Sequence, residues 1–291
     1  MKYKGIILAG GAGSRLYPLT LVTSKQLLPV YDKPLVFYPL ATLMQAGIRE
    51  ILIISHKESI NSYKFLFGNG EQLGLNIEYV IQDKPDGIAQ SIILGHEFIK
   101  DSCVSLILGD NIFHGDSISR SLNNAAMNTN GATIFCTHVN DPERFGVVEF
   151  NNEGEVKSII EKPHSPKSNY VATGLYFYDE NAYDITKSLK PSDRGELEIT
   201  DLNNAYLKLN KLKAEKFDSD LTWFDTGTHE SLIDAANYVL NIDKRQGLKV
   251  ACLEEIAFKR GWIGLKEIED AYIKYSKSSY GAYLNKILTD S

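Results

Sequence analysis

Leu8-Ala9-Gly10-Gly11-Ala12-Gly13-Ser14-Arg15-Leu16 sets three glycines and an arginine within a few positions of one another. Glycine has no Cβ to bar positive φ, so such a run lets consecutive backbone N–H groups converge on an anion. Arg15 adds a planar guanidinium that grips phosphate through two N–H groups, and Lys25 follows a short way on as a second cation. Together they suit phosphate chemistry. Two familiar phosphate loops do not match. The dinucleotide fingerprint needs GxGxxG, but Leu16 stands at its third glycine, and the Walker A pattern GxxxxGK[ST] is absent.

Two carboxylates stand at comparable places. Leu106-Ile107-Leu108-Gly109-Asp110-Asn111 puts Asp110 at the end of an apolar run, and Trp223-Phe224-Asp225-Thr226-Gly227-Thr228 puts Asp225 before a helix start. Mg²⁺ prefers few carboxylates plus phosphate oxygens and water, so a converging pair would serve it. A strand-end turn and a helix-start turn would account for the same residues. Gln82-Asp83-Lys84-Pro85-Asp86-Gly87 offers an amide that donates and accepts at a base edge, then a glycine that admits close backbone approach; a plain Pro-Asp-Gly turn is the other reading. Glu161-Lys162-Pro163 offers an acceptor for ligand hydroxyls and a cation for a phosphate, or a solvated charge pair.

These residues need a scaffold. Apolar runs at 5–8, 50–54, 77–81, 104–108 and 132–139 read as strands, with helices expected at 34–46, 60–67, 88–99 and 117–128. Such alternation implies right-handed βαβ units in an α/β, Rossmann-like, mostly parallel sheet with helices on both faces. Ligands of such sheets lie beyond the carboxyl ends of the strands. After residue 140 the pattern changes to a β-rich insertion: a hairpin at 146–150 and 156–160, then a strand at 171–178. Helices follow at 198–209, 228–240, 254–260 and 266–275. We read residues 1–240 as one core and 241–291 as a helical tail.

With a formal net charge of −6, wrapping a nucleic-acid backbone is disfavoured, while a few local cations still suffice for a small phosphorylated ligand. Cys103, Cys136 and Cys252 form no CxxC pair and read as buried, reduced thiols. No apolar run is long enough to span a bilayer, and the short run after Met1 breaks into the glycine loop, unlike a signal peptide. A cytoplasmic protein without membrane or nucleic-acid partners is expected.

The string LAGGAGSRLYPLTLVTSKQLLPVYDKP resembles the signature of the sugar-phosphate nucleotidylyltransferases, and from Lys4 to about Leu288 the chain resembles their short bacterial thymidylyltransferase branch. The resemblance implies transfer of a thymidylyl group from dTTP to glucose 1-phosphate with release of pyrophosphate, opening dTDP-deoxysugar synthesis. It implies catalytic roles for Arg15, Lys25 and Lys162, and Mg²⁺ on Asp110 and Asp225. Nucleotide contacts would come from Leu8, Gly10, Gly11, Gly13, Ser14, Gln26, Gln82, Pro85, Gly87 and Gly109. Sugar contacts would come from Gly146, Glu161, Lys162, Ala172 and Tyr176. A homotetramer is also implied. UTP or another sugar 1-phosphate as substrate stays open, as does an inactive nucleotide-sugar-binding paralogue.

Two departures stand out. Phe145 replaces a tyrosine frequent in relatives, and Phe217-Asp218-Ser219-Asp220 replaces a Gly-Arg-Gly segment whose arginine helps form a second, inhibitory nucleotide site. Repulsion from one nearby carboxylate is about 1–3 kcal/mol before salt screening. Losing a charge-assisted contact adds about 1.5–3 kcal/mol. Lys259 and Arg260 could offset part of this. The expected outcome is weak inhibition by dTDP-L-rhamnose, or another dTDP-sugar as the effector, titrated at saturating dTTP and glucose 1-phosphate; tight inhibition by dTDP-L-rhamnose would overturn it.

Overall fold

The computed structural model describes residues 3–11 and 13–290; Met1, Lys2, Ser291 and, within the glycine loop, Ala12 lie outside them. The chain runs β1 (Tyr3–Ala9), β2 (Pro29–Val30), β3 (Lys33–Pro34), α1 (Phe37–Gln45), β4 (Glu50–Ser55), α2 (Lys57–Phe67), β5 (Asn76–Ile81), α3 (Gln90–Leu94), α4 (His96–Ile99), β6 (Cys103–Leu108), β7 (Asn111–His114), α5 (Ile118–Met127) and β8 (Ala132–His138). Its second half runs β9 (Gly146–Phe150), β10 (Val156–Glu161), β11 (Tyr170–Tyr178), α6 (Ala182–Lys187), α7 (Ile199–Lys208), β12 (Leu212–Lys216), β13 (Thr222–Asp225), α8 (His229–Gln246), α9 (Leu253–Lys259), α10 (Leu265–Tyr275) and α11 (Ser279–Asp290).

A nine-stranded mixed sheet carries the site, in the order β10-β9-β11-β6-β1-β4-β5, with β8 against β11 and β12 against β8. The β6-β1-β4-β5 block is parallel. Its inner strands are largely apolar, and Ile6, Ile7, Ile53, Leu106 and Ile107 are fully buried, while edge strand β5 is partly exposed. β11 joins this block antiparallel and departs from regular register between Ala172 and Tyr176, where it leaves β6 and meets β9. The expected β9–β10 hairpin is present.

Some boundaries differ from expectation. The helix expected from residue 34 starts at Phe37, because Pro34 instead pairs with Pro29 in the β2–β3 ribbon. The helix expected over 88–99 is two short ones broken at Gly95, which costs a helix interior roughly 1 kcal/mol and abuts Ile6. α8 starts on a capping box between Thr228 and Ser231 and runs on through residue 240 to a left-handed Gly247. The β7–β13 ribbon had no sequence expectation at all. It is too short to show a pattern, yet it pairs Asn111 with Asp225 and so brings the two carboxylate motifs together.

The three cysteines are buried thiols. Among the described residues no helix is long and apolar enough to cross a membrane.

A buried charge network joins the last helices to the β2–β3 ribbon. Lys249 Nζ lies 2.8 Å from Asp32 and 2.7 Å from Asp243, and Lys33 pairs with Asp32 while facing the rings of Tyr38 and Tyr280. Tyr31 donates to Asp243. Breaking such a network by removing one partner leaves an uncompensated buried charge. Lys249→Ala should therefore cost about 3–5 kcal/mol in urea unfolding; a loss under about 1 kcal/mol would show that the network does not hold the tail.

Candidate active site

The phosphate-type loop begins where β1 ends. Gly10 is buried, and a Cβ there would lie 2.0 Å from Gln82 Oε1, so any larger residue would have to displace that amide. Gly11 is exposed, while Gly13, Ser14 and Arg15 enter a short turn of 3₁₀ helix that leaves the Arg15 side solvent-facing. A second 3₁₀ turn, Lys25–Leu27, buries Lys25 and Gln26 against the sheet end. Gly109 continues from β6, its N–H bonded to the carbonyl of Leu8, with Gln26 packed over it.

Lys25 Nζ is 2.6 Å from Asp110 Oδ2. The other oxygen, Oδ1, accepts from Asn111 Nδ2 at 2.9 Å. Burial alone would push the Asp110 carboxyl up, but the Lys25 ammonium and these hydrogen bonds outweigh it and hold the group below its ordinary value. Asp225 goes the other way. Burial raises it and the Asp110 charge adds to that, against the Gly227 N–H and Arg144, whose guanidinium lies 3.5 Å from Oδ2. One carboxylate thus arrives already paired with a cation, and its neighbour only weakly so.

Asn111 is buried and uses its whole side chain. Oδ1 accepts from the Trp223 indole at 2.6 Å and from the Gly174 N–H at 3.1 Å while Nδ2 holds Asp110. A Cβ on Gly174 would come within 2.7 Å of this amide.

A cavity of about 270 Å³ opens beyond these strand ends. Arg15, Asp110, Gly146, Glu161, Lys162, Ala172, Tyr176 and Asp225 all face it. Glu161 accepts from Thr200 at 2.6 Å and lies 3.3 Å from Lys162 Nζ. Lys162 itself takes a positive φ of 42° just past β10. Lys25 joins the cavity through Asp110. Gln82, Pro85 and Gly87 do not line it. Gln82 stands behind Gly10, Pro85 is exposed, and Gly87 backs onto Leu197. Leu8, Gly10, Gly11, Gly13, Ser14, Gln26 and Gly109 do not line it either.

Residues not singled out from sequence also line it. Arg194 reaches Glu198 at 2.8 Å and Glu161 at 3.9 Å, and Arg144 stacks near Phe145, whose ring meets the Trp223 ring edge-on. Asn111 and Trp223 sat inside quoted motifs; nothing in the sequence around Arg194 or Thr200 marks them.

Away from this cavity, Asp218 pairs with Arg120, and Asp220 accepts from the Ser117 N–H at 2.8 Å. The repulsion expected from these two aspartates is therefore largely taken up locally, and the missing arginine at Ser219 is what remains of that expectation. Lys259 pairs with Glu255 and Arg260 with the Gln45 carbonyl, at a second cavity that His114 and Lys249 also line.

The nucleotidyl transferase family matches residues 4–242. A glucose-1-phosphate thymidylyltransferase from Neisseria meningitidis is 52% identical over 98% of this chain and 99% of its own length. The Mycobacterium tuberculosis protein of that name is 48% identical over the same shares. A crystal structure from Bacillus anthracis, given provisionally as a glucose-1-phosphate thymidylyltransferase and holding sucrose, aligns with a TM-score of 0.76 at 44% identity, covering 81% of this chain and 94% of that one. A UDP-glucose pyrophosphorylase complexed with UDP-glucose aligns with a TM-score of 0.73 at 26% identity, covering 83% and 99%. Sharing its whole length with these relatives and this sheet with these structures, the chain belongs to the nucleotidyl transferase family, among the glucose-1-phosphate thymidylyltransferases.

Proposed function

We propose that this protein transfers a thymidylyl group from dTTP to glucose 1-phosphate and releases pyrophosphate. The observation that carries the reading is one cavity in which Arg15, the Lys25–Asp110 pair, Asp225, Glu161 and Lys162 converge at the strand ends. The names of relatives about half identical to this chain supply the substrates.

The sugar phosphate is anionic near neutral pH, so its oxygen attacks the α-phosphorus in line without a side-chain base. Catalysis is then mainly positioning and charge stabilisation. Arg15 holds the departing pyrophosphate. Lys25 meets the α-phosphate from its place on Asp110, and Lys162 holds the sugar phosphate. Glu161, oriented by Thr200, accepts from sugar hydroxyls, with Gly146, Ala172 and Tyr176 forming the walls around the ring. Leu8, Gly10, Gly11, Gly13, Ser14, Gln26 and Gly109 form the nucleotide side, and Gln82, Pro85 and Gly87 meet the base.

Asp110 and Asp225 fit Mg²⁺. Asp225 closes β13 opposite Asn111, the residue next to Asp110, so the two carboxylates are brought to one place as oxygen donors. Mg²⁺ prefers few carboxylates and completes its shell with phosphates and water. Mg²⁺ bound there supplies positive charge across the phosphates. A cytoplasmic homotetramer belongs to the same reading, and light scattering gives its mass. The UDP-glucose pyrophosphorylase neighbour makes UTP the second reading, and a grid of nucleotides against sugar phosphates separates the two.

Chelator-treated protein should release no pyrophosphate until Mg²⁺ returns. Arg15→Ala and Lys25→Ala should each cut kcat by roughly 10²–10³. Asp110→Asn and Asp225→Asn should lower activity and raise the Mg²⁺ needed for half-maximal rate. Near wild-type kcat in Arg15→Ala would refute the role of the loop.

A further inference from the structure

Behind the glycine loop, three side chains form a relay whose direction chemistry dictates. Gln82 is nearly fully buried, its N–H bonded to the Ser55 carbonyl at 2.9 Å. Its Nε2 donates to Gln90 Oε1 at 2.6 Å. Gln90 Nε2 donates in turn to Asp86 Oδ2 at 3.1 Å, and the Asp86 N–H donates to Gln90 Oε1 at 3.2 Å. The amide ends of a glutamine are assigned from their network. Here the network has one solution. An ionised carboxylate only accepts, so Gln90 must turn its NH₂ to Asp86. A backbone N–H only donates, so the Gln90 oxygen must face the Asp86 N–H. Gln82 is then obliged to point its own NH₂ at that oxygen. Its Oε1 is left toward Gly10, where it receives no hydrogen bond from the described residues. The segment that carries the relay is itself anchored, since the Leu197 N–H donates to the Asp86 carbonyl at 2.7 Å and the Ala89 N–H to the Leu197 carbonyl at 3.1 Å.

We propose that Gln90 is a specificity-determining positioning residue: with Asp86 it locks the Gln82 amide so that an acceptor faces the base. The inference rests on the reading above in which Gln82 meets the pyrimidine. Thymine and uracil carry a hydrogen on N3 and donate to a fixed acceptor. Cytosine has a bare N3 and would set acceptor against acceptor. A freely rotating amide would serve either base by flipping, so discrimination comes from the relay rather than from Gln82 alone.

The test measures kcat/KM for dTTP and for dCTP by pyrophosphate release, with glucose 1-phosphate, in the wild type and in Gln90→Leu, Gln90→Lys and Gln90→Glu. Leucine removes the lock. Lysine offers only donors and turns the Gln82 amide over. Glutamate still accepts from Gln82 Nε2. The dTTP-to-dCTP ratio should fall about 10- to 100-fold in the leucine and lysine variants, mostly through KM, the range of one buried hydrogen-bonding mismatch. It should stay within about threefold of wild type in the glutamate variant. A role in packing alone would slow both nucleotides together and leave the ratio unchanged; that result in whichever of the leucine and lysine variants folds overturns the inference, as does a wild type that uses dCTP as readily as dTTP. A wild type that turns over purine nucleotides but not dTTP overturns the pyrimidine reading itself, and the inference with it.

Discussion

The Asp110 carboxylate is the point on which the site is built. It sits where β6 ends, takes one hydrogen bond from Lys25 and another from Asn111, and so has both oxygens oriented before any ligand arrives. Lys25 and Asp110 are 85 residues apart, and each would be costly to bury alone. Their pairing is what allows a cation and an anion to share the floor of one cavity. It also sets the two carboxyls apart, since the Lys25 ammonium and the hydrogen bonds hold Asp110 below its ordinary value while burial raises Asp225.

From that floor the order spreads through Asn111. Its one amide ties the β7–β13 ribbon to β11 by way of Trp223 and Gly174. The bend in β11 between Ala172 and Tyr176 lies at this tie, where the parallel block gives way to the β9–β10 hairpin that carries Gly146 and Glu161. The cavity therefore opens at the change in sheet character, beyond the strand ends, where open α/β sheets favour ligands. Rigid walls suit a reaction in which no side chain needs to take up a proton and most of the rate comes from holding two phosphates in line.

The tail is bound by a different device. Lys33 and Lys249 are buried beside Asp32 and Asp243, and the buried Glu254 accepts from Tyr280. Buried ion pairs add little stability over an apolar core, but they penalise every arrangement that leaves them unpaired. The network thus fixes where the last helices sit on the β2–β3 ribbon, next to the Lys25 turn.

The sequence by itself determined the α/β alternation, the phosphate-type loop after the first strand, and the two carboxylates at element ends. Each of those signals is local: apolar runs of strand length, glycines closely spaced, an aspartate at the end of an apolar stretch. Periodicity misplaced the start of α1 and the break at Gly95, because Pro34 and Gly95 answer to partners outside their own helices. What only the tertiary structure decided is which side chains meet. Asn111 touches Trp223 across 112 positions and Gly174 across 63, and Thr200 reaches Glu161 across 39. The β7–β13 ribbon that joins the two carboxylates is too short to leave a pattern. Arg194 entered the cavity unannounced, and Gln82, singled out for its amide, acquired a direction only through Gln90 and Asp86. Hydrogen-bond polarity and ion pairing depend on distances between atoms that the chain order does not encode, so the chemistry of single residues was legible and their partnerships were not.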